Sequence, residues 1–199
     1  MKSLVVLISN KGTGTNLQAI IDGIENGKIN ARIISVISDT TDSKGLERAK
    51  KHNLPIEICP NKEGLLFLLQ KLTPDYICLA GWKQFLLDAI IDAYPHKIIN
   101  LHPGLLPDTE DGVVKNPDGT RALWNKKMFT EKALQNFFDN NATYAGSSIH
   151  FLTHEFDFGP VLGRCFEKIQ TSDTIDSLYT RLKIKENQLC VDVLARLCQ

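Results

Sequence analysis

The sequence predicts an α/β protein built on a doubly wound, mostly parallel sheet with helices on both faces. Short apolar runs alternate with amphipathic segments over the first half of the 199-residue chain. The runs are continuously apolar, which is typical of strands that are buried on both faces of a sheet. Helical segments separate consecutive strands, and this order produces right-handed βαβ crossovers and therefore a parallel sheet.

The elements of the first half follow in order. Strands are predicted at residues 4–9, 31–38, 54–59, 75–81 and 97–102. Helices are predicted at residues 15–28, 42–53, 62–72 and 83–95. The first helix has apolar residues at helical spacing and ends near Gly27, and the last ends at Pro95.

Residues 103–145 break this alternation and predict a long irregular excursion at about 108–145. They are rich in Pro, Gly, Asp, Asn and Lys, contain the turn signature "NPDGT", and predict one helix at 130–141. A loop of this length is usually functional or mobile. Strands at 147–153 and 161–169 then flank a tight turn, and a long helix at 171–197 is capped near Ser172 or Asp173.

Composition excludes several classes of protein. Basic and acidic residues balance at 23 each, which gives no support for a nucleic-acid partner. The five cysteines lack C-x-x-C spacing and predict reduced thiols of a cytoplasmic protein, without a zinc site or any other metal. The apolar N-terminal run is too short for a signal peptide, and no segment approaches the roughly 20 apolar residues of a membrane span. One domain over residues 1–199 is expected.

A glycine-rich segment, "KGTGTN", joins the first strand to the first helix. Amides at a helix N-terminus suit a phosphate, and Gly12 and Gly14 would let the backbone approach it. Thr13, Thr15 and Asn16 add side-chain donors. The segment is neither the dinucleotide fingerprint nor the triphosphate loop, so a plain strand-to-helix turn is the alternative.

Asn100 and His102 end the fifth strand on the same face. Ligands of such sheets bind beyond the carboxyl ends of the strands, where Gly81 ends the fourth strand. An amide donor and an imidazole could stabilise an oxyanion and move a proton in acyl transfer; a polar strand end satisfied by the backbone is the alternative. Asp157, in the turn at 154–160, could orient His102 or simply cap its own turn.

Five segments in this order resemble the motifs of the phosphoribosylglycinamide formyltransferases, a branch of the folate-dependent formyltransferase family. They are "ISNKGTGTNLQAII", "LAGW", "INLHPGLLP", "SSIHFLTHEFDFGPVL" and "LKIKEN", and the resemblance covers nearly all of the chain outside 108–145. It implies a Rossmann-like fold. It also implies transfer of the formyl group of 10-formyltetrahydrofolate, as a co-substrate, to the amine of glycinamide ribonucleotide in purine biosynthesis.

The resemblance also implies roles for individual residues. Asn100, His102 and Asp157 match the catalytic trio, and His150 matches a neighbour of the trio in either a supporting or a chemical role. The implied substrate-binding residues are Gly12, Thr13, Gly14, Thr15, Asn16, Gly81, Pro103 and Glu186. The implied folate-binding residues are Lys83, Gln84, Phe85, Leu86, Leu152, Thr153 and His154. Residues 1–102 then form the phosphate-binding half, and 103–199 the half with the catalytic loop.

The sequence departs from this family pattern in three places. The first loop is about two residues longer and adds Lys11, which could pair with a phosphate or remain solvated. Lys83-Gln84 replaces a usual Met-Arg. The excursion replaces a short loop, and its Arg121, Trp124, Lys126 and Lys127 could touch the folate tail or another subunit, although a surface excursion is favoured.

Other functions remain open at this point. They are formyl transfer to another amine such as an amino-sugar nucleotide, hydrolysis of formyltetrahydrofolate, and noncatalytic binding of a phosphorylated metabolite. Each takes small-molecule ligands, with the chain as a monomer or homodimer. A nicotinamide dehydrogenase is disfavoured because the dinucleotide fingerprint is missing.

Overall fold

A computed structural model describes residues 1–9 and 13–199. Its strands are β1 (Lys2–Ile8), β2 (Ala31–Ser38), β3 (Ile56–Ile58), β4 (Tyr76–Leu79), β5 (Ile98–His102), β6 (Tyr144–Phe151) and β7 (Val161–Lys168). Its helices are α1 (Thr15–Glu25), α2 (Gly45–Lys51), α3 (Lys62–Leu72), α4 (Asp88–Ala93), α5 (Thr130–Asp139) and α6 (Ile175–Leu197). Lys11 and Gly12, which the sequence assigned to a phosphate loop, lie outside the described residues.

The strands form one sheet in the order β3-β2-β1-β4-β5-β6-β7. The pairs β1–β2, β1–β4, β2–β3 and β4–β5 are parallel, and β6–β7 is antiparallel. The predicted α/β class with a mostly parallel sheet is therefore confirmed. The chain divides into two compact units, residues 1–100 with 190–199, and residues 101–189. The expected single domain with halves at 1–102 and 103–199 stays a prediction.

The first unit is built around β1. Residues Leu4–Leu7 are fully buried, as expected for a central strand covered on both faces. α1 begins after Gly14 and ends as predicted near Gly27, where φ is 77°. The carboxyl ends of β1, β2 and β4 meet, because Ser9 donates to Asp39 (2.8 Å) and the Lys83 amide donates to the Ser9 hydroxyl (3.0 Å).

The second unit has its own apolar core. Its members come from α5, β6 and α6, and they are Leu134, Phe137, Ala145, Leu178 and Leu182. Ser148 on β6 fixes the loop after β5, since its hydroxyl donates to the Gly104 carbonyl (2.8 Å) and accepts from the Leu106 amide (2.9 Å). The predicted "NPDGT" turn is present as a small hairpin, closed by a bridge between Lys115 and Arg121.

Several predicted boundaries are wrong, and three of them change the start of an element. The helix predicted at 83–95 begins only at Asp88, because Lys83 and Gln84 are tied to Ser9 and Asp39 and Leu87 is extended. β6 begins at Tyr144, before the predicted residue 147. The cap of α6 is Thr174 rather than Ser172 or Asp173.

Candidate active site

A buried ion pair lies at the carboxyl end of β5. His102 is the last residue of the strand, and its side chain is 2% exposed. Its Nδ1 lies 3.5 Å from Oδ1 of Asp157, which sits in the turn before β7 with a left-handed φ of 51°. The structure thus places together two of the three residues of the implied catalytic trio. Asn100 lies two residues earlier on β5, and alternation along a strand puts it on the face that His102 shares.

A segment of the excursion contacts this pair directly. We call residues 124–127 the strap. Nε2–H of His102 donates to the Trp124 carbonyl (2.7 Å), and the Lys127 amide donates to Oδ2 of Asp157 (2.7 Å). The Trp124 indole N–H also donates to the Asp157 carbonyl (3.0 Å). The expectation of a mere surface excursion is therefore wrong for the strap.

Asp157 is held as a carboxylate. Burial raises its pKa, but the hydrogen bond and charge of His102 and the Lys127 amide lower it by more, so the net shift is downward. A carboxylate and a carbonyl only accept hydrogen bonds, so each of these neighbours favours a proton on the His102 nitrogen that faces it. The arrangement therefore suits a cationic imidazole that stabilises negative charge developing nearby.

His150 adjoins the pair from β6 and plays a different part. It is fully buried, and its Nδ1–H donates to the Phe151 carbonyl (3.0 Å). Burial lowers its pKa to about 4, with a contribution from the nearby charge of His102, which outweighs the Phe151 bond and Asp157. His150 is therefore neutral at pH 7, which favours the supporting role over the chemical one.

The loop before α1 has the features of an anion cradle. Gly14 has φ 72°, and a Cβ there would lie 2.8 Å from the Gly45 backbone, so glycine permits both the turn and the packing of α2. Arg48 donates to the Thr13 carbonyl (3.1 Å). Thr15 Oγ1 and Asn16 Oδ1 are buried without a partner in the described part of the chain. A hydroxyl without a partner at a helix N-terminus, such as that of Thr15, can donate to a phosphate, whereas the Asn16 oxygen only accepts.

The implied folate residues fall in two loops. Gly81 turns the chain after β4 with φ 91°, and the following segment through Leu86 is irregular. The Lys83 amide donates to Ser9 and the Gln84 side chain donates to Asp39, while Phe85 is 60% exposed. The second loop is Leu152, Thr153 and His154, in which Thr153 Oγ1 donates to the Phe158 carbonyl (2.8 Å). Pro103 accepts through its carbonyl from Asn125 (2.9 Å).

Glu186 is a buried carboxylate on α6. It is 3% exposed on α6, accepts from the Ser147 hydroxyl, and pairs with Lys183 (2.8 Å). Its predicted contact with a ribose stays a prediction.

Sequence reasoning missed the residues that act through the backbone. Trp124 and Lys127 reach the pair through a carbonyl and an amide, and Asn125 anchors the segment between them. Backbone groups are common to all residue types, so no side-chain pattern could have marked them. The buried Ser147 and the half-buried Lys183 around Glu186 were missed as well.

The described ranges, 1–9 and 13–199, show neither a metal-binding cluster nor a membrane-spanning helix. They contain no cluster of three or more His, Cys, Asp or Glu residues that could hold a metal ion. No helix among them combines the length and apolar character needed to cross a membrane.

Comparison with known proteins links this chain to a family. Residues 2–194 match the family model described as formyl transferase. The phosphoribosylglycinamide formyltransferase of Escherichia coli is 32% identical over 94% of this chain and 82% of its own length. The chloroplastic phosphoribosylglycinamide formyltransferase of Arabidopsis thaliana is 26% identical, and this chain spans 66% of its length.

A solved structure agrees with the sequence comparisons. Glycinamide ribonucleotide transformylase 1 from Symbiobacterium toebii superposes with a TM-score of 0.82 at 29% identity, over 98% of this chain and 86% of that one. The family model covers nearly the entire chain, and the E. coli relative is matched over most of its length. The chain therefore belongs to the formyl transferase family.

Proposed function

We propose that the protein transfers the formyl group of 10-formyltetrahydrofolate to the amine of glycinamide ribonucleotide. The observation that carries this proposal is the buried His102–Asp157 pair at the end of β5, with Asn100 on the same strand. The relatives named phosphoribosylglycinamide formyltransferase support the acceptor, and membership of the formyl transferase family supports the reaction.

The residues of the pair have distinct tasks in this reaction. Formyltetrahydrofolate supplies an activated formyl group. The cationic His102 and the Asn100 amide stabilise the negative charge that develops on the formyl oxygen as the amine bonds to the formyl carbon. Asp157 keeps His102 charged and assists the transfer of a proton from the amine to the departing folate nitrogen, directly or through one water.

The acceptor's phosphate suits the loop before α1. The partnerless Thr15 hydroxyl and the amides of the α1 N-terminus provide donors for it. On the folate side, the irregular segment from Trp82 to Leu86 leaves backbone groups outside helical hydrogen bonding, and the exposed Phe85 ring offers a surface for the pterin.

The test is a turnover assay with purified protein, glycinamide ribonucleotide and 10-formyltetrahydrofolate, in which mass spectrometry detects formylglycinamide ribonucleotide. We expect product with the unmodified protein and a loss of about 10²–10⁴-fold in kcat for His102→Asn. His96→Asn is the matched control, because His96 is exposed before β5 with a left-handed φ of 55° that asparagine tolerates.

Three outcomes would contradict the proposal. Formate release without an acceptor would indicate hydrolysis, and product only with an amino-sugar nucleotide would indicate another acceptor. Binding of glycinamide ribonucleotide without turnover of any donor would indicate a noncatalytic module.

A further inference from the structure

The strap contacts both members of the His102–Asp157 pair and covers the ring nitrogen that faces away from Asp157. We propose that it is a positioning element that holds His102 as a cation through the Trp124 carbonyl, and that Asn125 is the positioning residue that fixes it there. The kinetic consequence of this inference rests on the proposed function. The structural part, which is the charge state of His102, is independent of that function.

The contact to His102 fixes one of the two ring protons. Because the Trp124 carbonyl only accepts, Nε2 carries a proton whenever this hydrogen bond is formed. Oδ1 of Asp157 faces Nδ1 at 3.5 Å and favours a proton there as well, and its second oxygen accepts from the Lys127 amide. The strap therefore supplies one acceptor to the imidazole and one donor to the carboxylate, and both contacts favour the charged pair.

Asn125 anchors the strap by its side chain. It is 5% exposed, and its Nδ2 donates to the carbonyls of Pro103 (2.9 Å) and Ala133 (3.4 Å). Its Oδ1 accepts from Asn136 of α5 (2.8 Å). Its φ of 56° is left-handed, a conformation that asparagine adopts more readily than most residues. A buried amide with donor and acceptor both used rigidly fixes the backbone beside it.

Gly104 is the second requirement for this contact. A Cβ at this position would fall on the Trp124 carbonyl, and the neighbouring groups are backbone atoms that cannot swing aside. The loop after His102 therefore has glycine where the strap approaches most closely. Asn125 and Gly104 provide independent ways to displace the carbonyl from His102.

The arrangement also assigns His102 a definite catalytic role. Both of its N–H groups are used within the protein, so it acts on the formyl oxygen through its positive charge. Direct hydrogen bonding then falls to other donors, with Asn100 as the candidate. A preorganised charge of this kind costs no reorganisation during the reaction.

The first test reads His102 without substrate. Imidazole ¹⁵N shifts of the histidine-labelled protein at pH 7 are compared with those of Asn125→Gly and Gly104→Ala, and His102→Asn identifies the signals. The other titratable groups facing His102 are Asp157 and His150. We expect imidazolium shifts with a protected Nε2–H in the unmodified protein. In both variants we expect shifts toward the neutral ring and fast exchange of that proton.

The second test is kinetic. Asn125→Gly should lower kcat about tenfold or more while KM changes little, since displacing a catalytic group by about 1 Å can cost about 100-fold. Asn53→Gly is the matched control, because Asn53 is exposed with a φ of 53° and lies in the turn after α2. Circular dichroism verifies that each variant is folded.

The outcomes separate the proposals. Unchanged His102 signals in two folded variants would overturn the inference, as would faster turnover in them, which would make the strap an inhibitory cover. No product from the unmodified protein, with the expected His102 signals, would overturn the proposed function and leave the charge-holding role supported.

Discussion

Asp157 is the residue whose charge the site depends on most directly. Its downward-shifted pKa keeps it ionised at neutral pH, and its two oxygens engage His102 and the Lys127 amide. Asp157→Asn preserves the shape but removes the charge that holds the imidazolium, so we expect kcat to fall by about 100-fold or more. Steady-state kinetics would measure this loss.

The control for that variant is Asp111→Asn, an exposed aspartate of the excursion. It makes the same chemical change and should keep full activity. If Asp157→Asn retained the unmodified rate, Asp157 would only cap its own turn, which is the alternative role that the sequence allows.

His150 makes a second prediction at this scale, on stability. Its folded-state pKa of about 4 lies below the ordinary value of 6.5, so between these pH values the unfolded chain binds more protons than the folded one. Stability therefore falls as pH drops below about 6.5, by about 2 kcal/mol at pH 5. Urea unfolding at pH 7 and pH 5 measures the difference.

Replacement tests that His150 is the source. His150→Asn keeps an N–H donor near the Phe151 carbonyl but removes the titrating ring, so most of the loss between pH 7 and pH 5 should disappear. His96→Asn, at an exposed position, should leave the loss intact. An equal pH dependence in the His150 variant would assign the effect to other groups.

At the scale of elements, the start of α6 is fixed by a reciprocal pair of hydrogen bonds. The Ser177 amide donates to Thr174 Oγ1 (3.2 Å), and the Thr174 amide donates to Ser177 Oγ (3.0 Å). Thr174→Ala should lower the free energy of unfolding by about 1 kcal/mol. Thr180→Ala, inside the same helix, is the control and should be nearly neutral, because its hydroxyl only bonds back to Asp176.

Sequence patterns located most elements but not their ends. Ser172, Asp173 and Thr174 are all good capping residues, and the sequence cannot rank them. The structure uses Asp173 for Arg181, whose guanidinium donates to both carboxylate oxygens, and leaves the cap to Thr174. The helical pattern from Lys83 to Leu87 was likewise overridden, because the bonds of Lys83 to Ser9 and of Gln84 to Asp39 keep that segment out of a helix.

For the molecule as a whole, the motifs predicted which side chains meet in the candidate site, but they did not predict what the excursion contributes to it. Side chains with distinctive chemistry, such as His102 and Asp157, are visible in the sequence, and the resemblance to a family ordered them. The strap contributes a backbone carbonyl and a backbone amide, which cannot be recognised from residue type. Its position depends on Asn125 and Gly104. Side-chain chemistry was therefore predictable, and backbone contributions were not.

The last prediction concerns the reactivity of the cysteines, which depends on their burial in the folded protein. Burial raises the pKa of Cys59, Cys78 and Cys198, and it raises that of Cys165 to about 12, with Glu186 adding to the rise. The thiolate is the reactive form, so these four thiols should resist alkylation at pH 8 in the folded protein. In urea all five should react rapidly.

Mass spectrometry of the protein after timed exposure to iodoacetamide would count the modified cysteines at each stage. Reaction of the four should follow opening of the structure. An incubation at pH 5, where stability is lower, should therefore leave the slow phase unchanged when the reaction is measured after a return to pH 8, because the protein has then refolded. Rapid alkylation of Cys78 or Cys165 in the native protein would contradict the buried, protonated state and place these thiols in accessible surroundings.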